Sequence, residues 1–217
     1  MLLLGFDTAT PAVTVALHDG DRVVAARDAV DARRHGELLA PTIDELLRAV
    51  GAAPGDVTDV AVGVGPGPFT SLRVGLVTAT TFAAALRLPV HGVCSLDVLA
   101  RDVEADGPFA VATDARRREV YWATYSADRT RTSGPGVARP ADLDLAGMPV
   151  AGAGPSLWPD AFPRGVGPTY PSAAVLTTAV AAALRGDVHA IELLSPRPLY
   201  LRRPDAVEPG TPKTVLR

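Results

Sequence analysis

Cysteine, lysine and aromatic residues are scarce in this chain, and each scarcity limits what the protein can do. Cys94 is the single cysteine among 217 residues, so the chain forms no internal disulfide and offers no cysteine cluster that would hold zinc. Lys213 is the single lysine, and almost all of the positive charge is arginine. The formal net charge of −3 gives no general attraction to nucleic acid or to a membrane surface.

The amino terminus also lacks the features of a targeting segment. The first seven residues, MLLLGFD, carry no basic residue and reach an aspartate too early for a signal peptide. No apolar run extends to the roughly 18 residues of a membrane span without a charge or a proline. We therefore expect a cytoplasmic protein that does not enter a membrane.

Glycine and proline, by contrast, are concentrated in one stretch, which reads GVGPGPFTSLRVG over residues 63–75. An apolar run over residues 57–62 predicts a buried strand before it, and the prolines rule out a continuing strand. Thr70 or Ser71 is the predicted N-cap of a helix over residues 72–86. That helix has a single charged side chain, and a helix that is apolar all round should be buried all round. One of its neighbours could be a second protein.

Hydrophobic patterning predicts a first α/β lobe over residues 1–104. An antiparallel meander of three strands opens the lobe, and an amphipathic helix over residues 34–50, with Pro41 inside it, follows. A short strand over residues 90–93 and a helix over residues 96–103 close the lobe. The polar connection that follows contains glycine and proline, which indicates a domain boundary.

A second, smaller α/β lobe is predicted over residues 105–204. It opens with a hairpin over residues 109–125, continues irregularly over residues 129–145, and contains a strong helix over residues 173–184. The remaining residues, 205–217, are rich in proline and glycine and predict a disordered tail.

Two pairs of residues are candidates for a nucleotide site. Asp7 and Thr8 follow the first strand, where kinase-like and actin-like ATPases face the nucleotide phosphates, and Gly65 and Gly67 lie in the glycine-proline loop. An Asp-Thr pair after a strand is also a common turn composition. Neither a P-loop lysine nor a Rossmann fingerprint accompanies these residues. We predict a degenerate or partner-dependent nucleotide site.

Three consecutive arginines, residues 116–118, form the one concentration of positive charge. Arginine runs can hold phosphates, but on the turn of a hairpin a solvated tip is the plainer interpretation. His35, near the start of the first helix, is similarly interpreted as a capping or surface group rather than a metal ligand.

Four motifs occur in order along the chain. They are GFDTAT at residues 5–10, HGELL at 35–39, GPGPFTSLRVG at 65–75 and YLR at 200–202. Together they resemble the bacterial TsaB (YeaZ) family, the dimerisation subunit in tRNA threonylcarbamoyladenosine (t6A) biosynthesis. Pro68 stands where that family usually has glycine or serine, and Ser71 where it usually has glycine, so the loop should be stiffer than is typical.

The resemblance implies an α/β fold of the actin-like, Hsp70-like (ASKHA) ATPase type, with two lobes of mixed sheets flanked by helices and a reduced second lobe. It also implies a partner, the catalytic transferase TsaD, a relative once classed as an M22 glycoprotease, and a third component, the ATPase TsaE. Their complex transfers a threonylcarbamoyl group to N6 of the tRNA adenosine beside the anticodon. The resemblance implies no cofactor of the chain's own and leaves open ATP or ADP at the partner interface.

The residues themselves favour a subunit with no catalytic and no metal-binding residues. The catalytic relative binds a metal through two histidines four apart, just after the strand equivalent to residues 90–93. Here that region reads CSLDVL and contains no histidine. His91 and Cys94 sit three apart at a strand end, where a buried small cysteine is the simpler interpretation. No Gly-x-Ser-x-Gly elbow of a serine hydrolase is present.

The leading hypothesis is an interaction subunit whose two long first-lobe helices pack against the equivalent pair of TsaD as a four-helix bundle. Alone, the protein should form a homodimer, and tRNA should be reached only through the complex. The predicted interface residues are Leu39, Ile43, Leu46, Leu72, Gly75, Leu76, Ala79, Phe82 and Ala83.

Two alternatives remain. One is a stand-alone enzyme of the same fold, either a sugar-kinase-like ATPase that uses Asp7 or an M22-type hydrolase. The other is direct tRNA binding through the arginines at residues 116–118. The net acidity of the chain argues against the second, because phosphate contacts need several cations along one surface.

Overall fold

The computed structural model describes residues 1–145 and 147–202, which form two β-sheets with helices packed against both. The first sheet has five strands in the order β3-β2-β1-β4-β5. The first three form the predicted antiparallel meander, and the other two run parallel to β1. The strands are β1 (Leu3–Asp7), β2 (Ala12–His18), β3 (Val23–Val30), β4 (Asp59–Gly63) and β5 (Val90–Val93).

Two long helices cover one face of this sheet. They are α1 (His35–Ala49), which continues through Pro41, and α2 (Phe69–Leu86). Leu4 and Phe6 of β1 are fully buried beneath them, because alternate residues of a strand face the same side. Both predicted helices are therefore confirmed, and together with the sheet they enclose the largest core cluster.

The start of α2 differs from the prediction. Pro68 occupies the N-cap position, and neither Thr70 nor Ser71 caps the helix with its side chain. The ring of Pro68 fixes its φ, and its carbonyl accepts the amide of Leu72 at 3.0 Å, so the first turn forms three residues earlier than predicted. The helix thus begins at Phe69.

Among the described residues, α2 is the one helix whose length and composition alone would suit a membrane span. One side of it contributes Leu72, Leu76, Ala79 and Ala83 to the core of the first lobe. A core helix passes the same test of length and hydropathy, so the test by itself carries little weight.

The second sheet has four strands in the order β8-β7-β6-β9. The predicted hairpin is present, but the region predicted to be irregular contains an edge strand, β8. Gly134 and Pro135 interrupt its pattern, and an edge strand tolerates proline where the pairing register shifts. The strands are β6 (Phe109–Asp114), β7 (Val120–Tyr125), β8 (Arg131–Ala138) and β9 (Val150–Ala151).

The described residues contain three further α-helices, namely α3 (Ser95–Arg101), α4 (Gly154–Leu157) and α5 (Ala173–Leu184). Helix α5 follows the second sheet in the chain but packs on the first, where Leu176 joins Leu3 in a core on the face opposite α1 and α2. The division of the chain at residue 104 stays a prediction, and the predicted disordered tail lies outside the described residues.

The predicted fold class is confirmed as an α/β fold of two mixed sheets flanked by helices, with a smaller second sheet. Helix α3 bridges the lobes, because Leu96 and Leu99 pack with the second sheet while Val98 packs with the first sheet and α5. The connection between β4 and α2 lies at this junction.

Close packing at Gly67 yields a stability prediction. A Cβ atom there would lie 2.3 Å from the backbone oxygen of Ala9, which cannot move away without displacing the turn after β1. We expect Gly67→Ala to lower the free energy of unfolding by about 2 kcal/mol, measured by urea denaturation. Gly36→Ala is the control, because nothing lies within 4 Å of its Cβ and the helical site should gain about 0.5 to 1 kcal/mol. Equal effects of the two substitutions would contradict this packing.

Candidate functional site

Asp7 ends β1 at the junction of the lobes and is fully buried. Its Oδ2 accepts a hydrogen bond from the hydroxyl of Ser95 at 2.5 Å, and its Oδ1 accepts the backbone amide of Ala9 at 2.7 Å. Burial raises the pKa of Asp7, while the two hydrogen bonds and the nearby His35 oppose the increase. The carboxyl group is therefore committed to partners within the chain.

The backbone between β4 and α2 passes directly over Asp7. A Cβ atom on Gly63 would lie 1.8 Å from the Asp7 carboxylate, so only glycine fits there. Gly65 donates its amide to the Ser95 hydroxyl at 3.2 Å and accepts the Ser95 amide at 2.8 Å. Gly67 lies against the backbone of Ala9. The loop between β4 and α2 therefore packs against the carboxyl end of β1.

Thr8, the other predicted nucleotide contact, is also used internally. Its hydroxyl donates to the carbonyl of Ser71 at 2.7 Å and accepts the amide of Gly75 at 3.1 Å. The structure thus brings Asp7, Thr8 and the loop glycines together. All of them are buried, and the side chains of Asp7 and Thr8 bond within the chain. Nucleotide binding at these residues stays a prediction.

His35 lies where the sequence did not predict it. Its ring is buried, and Nε2 is 2.8 Å from the carbonyl oxygen of Thr10. The interpretation of this residue as a surface or capping group is wrong, because the first turn of α1 packs against the turn after β1. That contact joins two elements far apart in the chain, so the local pattern carried no signal for it.

Cys94 and His91 do not form a catalytic pair. Nε2 of His91 is 3.0 Å from the carboxylate of Asp59. Cys94 is buried, and desolvation raises the pKa of its thiol to about 12, so the thiol stays protonated at neutral pH. Within residues 1–145 and 147–202, no group of three or more His, Cys, Asp or Glu side chains is placed to hold a metal ion.

Most of the predicted partner-interface residues belong to the chain's own core. Of the nine, only Phe82 is partly exposed, and the other eight are buried in the free chain, so their contact with a partner stays a prediction. The small residues of α2 predicted to admit a partner, such as Gly75, instead admit neighbours within the chain. The buried residues are Leu39, Ile43, Leu46, Leu72, Gly75, Leu76, Ala79 and Ala83.

The opposite side of α2 is open and nearly uncharged. Val77, at its centre, is 60% exposed. Exposed residues recur along the helix at spacings of three and four, as one face of a helix requires, and Arg73 is the only charged one. We call this surface the open α2 face; its exposed residues are Phe69, Thr70, Arg73, Val77, Thr80, Thr81, Ala84 and Ala85.

The three arginines predicted to be a solvated tip form a constrained turn. All of them are exposed, with φ values of 61°, 54° and 61° for Arg116, Arg117 and Arg118. Left-handed conformations of this kind cost roughly 1 to 2 kcal/mol per residue. Asp114 accepts the amide of Arg116 at 2.7 Å, and Glu119 donates its amide to the Arg116 carbonyl.

The carboxyl-terminal motif at residues 200–202 clamps this turn, a contact that the sequence did not predict. Arg202 donates to the carbonyl of Ala115 at 3.0 Å and forms an ion pair with Glu119. Tyr200 stacks on Phe69, with ring centroids 5.3 Å apart, and the guanidinium of Arg73 lies 3.6 Å from the Phe69 ring centroid. The start of α2, the arginine turn and the end of the described chain therefore meet.

The fold and the loop geometry agree with comparisons to known proteins. A family model described as "TsaD: tRNA N6-adenosine threonylcarbamoyltransferase" matches residues 29–182. The crystal structure of a Pseudomonas aeruginosa protein described as similar to peptidase YeaZ superposes with a TM-score of 0.78, and a second structure, YeaZ from the same organism, with 0.76. Each is 30% identical in sequence, and they cover 93% and 92% of this chain and 99% of their own chains.

The chain belongs to the TsaD family and, within it, to TsaB/YeaZ. Among curated proteins, an uncharacterized Mycobacterium tuberculosis protein is 46% identical over 212 residues, which is 94% of this chain and 93% of the relative. Escherichia coli "tRNA threonylcarbamoyladenosine biosynthesis protein TsaB" is 33% identical over 131 residues, 59% of this chain and 56% of the relative. The similarity to this named TsaB protein thus spans part of the chain, while the YeaZ fold spans nearly all of it.

For this TsaB/YeaZ protein, the buried carboxyl group of Asp7 predicts a particular pH dependence. Its folded-state pKa lies above the ordinary value of 3.8, so its contribution to stability is complete below that value and decreases as pH rises through the folded pKa. Asp7→Asn keeps the shape without the ionisation. We therefore expect the stability of the wild type relative to Asp7→Asn to fall as pH is raised above 3.8, measured by urea unfolding.

The exposed Asp21→Asn substitution controls for removing a carboxylate at the surface. The change in relative stability should be larger for Asp7→Asn than for Asp21→Asn. Wild-type and Asp7→Asn profiles that run parallel across this pH range would contradict a buried carboxyl group with a raised pKa.

Proposed function

We propose that this chain takes part in tRNA threonylcarbamoyladenosine biosynthesis as a non-catalytic subunit that pairs with a TsaD-type catalytic subunit. The observation that carries the proposal is the open α2 face, which is long, nearly uncharged and centred on Val77. Two relatives of the chain, from E. coli and Bacillus subtilis, are named tRNA threonylcarbamoyladenosine biosynthesis protein TsaB, and the proposed pathway is taken from that name. We accordingly propose that the protein acts in the cytoplasm, where tRNA is present.

The open α2 face has the properties of a helix-packing surface. Thr80, Thr81, Ala84 and Ala85 are small, so the backbone of another helix could approach closely. Helices α1 and α2 lie side by side on the sheet, and an equivalent pair from a partner of the same fold would complete a four-helix bundle. When the partner is absent, a homodimer could remove the apolar surface of this face from water.

The buried groups at the lobe junction favour a subunit that does not catalyse the transfer. A catalytic Asp7 would have to reach a substrate, but both of its oxygens accept hydrogen bonds inside the chain. Cys94 is protonated and buried. Catalysis would then come from the TsaD-type partner, with a TsaE-type ATPase joining the pair and any ATP or ADP held at the partner interface.

Val77→Glu tests the pairing surface. A carboxylate buried without a partner in an apolar interface should weaken association by about 3 kcal/mol, or roughly a hundredfold. Val77 is exposed in the free chain, so its stability should change by no more than about 0.5 kcal/mol. We expect light scattering on a size-exclusion column to show a one-to-one complex of the wild type with its TsaD-type partner, and no complex with the variant.

Thr178→Glu is the matched control, because it adds the same charge at an exposed position of α5, on the opposite face of the sheet. This variant should pair as the wild type does. Ala79→Arg would be an unsuitable test, since Ala79 is fully buried and an arginine there would destabilise the lobe itself. Unchanged pairing of Val77→Glu with the partner would refute the proposed surface.

A further inference from the structure

We propose that the arginine turn at residues 116–118, together with the two clefts on either side of it, binds a single-stranded nucleic-acid segment. This inference goes beyond pairing with a catalytic subunit and can be tested on the free chain. It concerns a surface separate from the open α2 face, apart from the start of α2.

The first cleft, of about 390 Å³, lies between the arginine turn, the start of α2 and the carboxyl-terminal motif. It combines aromatic rings with guanidinium groups. Tyr200 is 40% exposed, and Phe69, although 46% exposed, already has its ring in contact with Tyr200 and with the Arg73 guanidinium, so Tyr200 is the ring offered to a ligand. The cleft is lined in part by Phe69, Tyr121, Tyr200, Arg116, Arg117 and Arg202.

The second cleft, of about 550 Å³, lies on the other side of the turn. Arg118 and Arg139 line it and are exposed, and within the part of the chain that the structure describes no hydrogen bond or ion pair holds either side chain. Trp158 supplies an aromatic ring, and Asp160 is the only acidic residue among the described residues that line the cleft. The cleft therefore offers a net positive charge beside an indole ring.

The arrangement suits a single-stranded nucleic-acid segment better than a mononucleotide. Arg117 lines both clefts, so cationic groups connect two places where aromatic rings are available. Single-stranded nucleic acids bind in this manner, with bases stacked on aromatic rings and phosphates tracked by arginine. The bonds from Asp114, Glu119 and Arg202 already hold the turn in shape, so little ordering remains to oppose binding.

Net acidity of the chain does not conflict with this site, because the charges are unevenly distributed. The overall charge of −3 is an average over 217 residues, whereas these two clefts contain five different arginines, of which Arg116 and Arg202 form ion pairs with Asp114 and Glu119. Binding should accordingly be weak, local and sensitive to salt.

The test measures binding of the full chain to fluorescent dodecamers of oligoadenylate and oligodeoxyadenylate by anisotropy, at 50 and 200 mM salt. We expect saturable binding of at least one dodecamer, weaker at the higher salt, and the RNA and DNA arms identify which sugar is preferred. Arg118→Glu combined with Arg139→Glu should weaken binding at least tenfold.

The control combines Arg22→Glu with Arg87→Glu, two exposed arginines that line neither cleft. Both double variants change the net charge equally, so the control should bind within about twofold of the wild type. The chain contains two tryptophans, and Trp122→Phe leaves Trp158 as the only indole fluorophore. Its emission should change on addition of the dodecamer that binds.

Several results would overturn the proposal. Equal losses in the two double variants would indicate bulk charge rather than a site. AMP binding as tightly as the dodecamers would indicate a mononucleotide pocket, and tighter binding of heparin or of anionic phospholipid vesicles would indicate a general polyanion surface. Absence of binding to both dodecamers at 50 mM salt would also refute it. None of these results depends on whether the chain pairs with a catalytic subunit.

Discussion

The hydrogen bond between the carboxylate of Asp7 and the hydroxyl of Ser95 is the interaction on which the junction of the lobes depends. It connects the end of β1 to the start of α3, 88 residues later in the chain. The glycine-proline loop fits between them only because Gly63 and Gly67 have no side chains. A buried carboxyl group is costly unless it is hydrogen-bonded, so this geometry constrains the loop, the turn after β1 and α3 together.

The same network occupies the polar groups of the junction. In a two-lobed α/β fold the groups after β1 and β4 are positioned to face a ligand, but here Asp7, Thr8 and the loop backbone bond with one another. The two surfaces that we propose for recognition lie outside this network. One is the open α2 face, and the other is the arginine turn with its two clefts.

The last described residues hold these surfaces in place. Leu194 exchanges backbone hydrogen bonds with Gly92, and the amide of Leu199 donates to the carbonyl of Val64 at 2.8 Å. Tyr200 then stacks on the first residue of α2, and Arg202 holds the arginine turn. A segment without regular secondary structure thereby joins both lobes, and its YLR motif is explained by these contacts.

Much of the fold was determined by local sequence. The meander and α1 follow from periodicities of two and about 3.6 residues, and β5 and α5 follow from short runs bounded by helix and strand breakers; both signals need only neighbouring residues to be recognised. The edge strand β8 was missed because Gly134 and Pro135 disrupt the alternation that identifies a strand, and a sheet edge tolerates them. The family motifs could also be recognised in the sequence, because each is a short continuous run of residues.

Tertiary structure alone decided which side of each element is used. The composition of α2 indicated an apolar helix that would be buried on several sides. Which side faces the core depends on where the sheet lies, so Leu72 is buried in the core and Val77 is exposed. In the same way, the burial of Asp7 and His35, and the meeting of residues 116–118 with residues 200–202, arise from contacts between distant parts of the chain. Such contacts leave no periodic trace in one sequence.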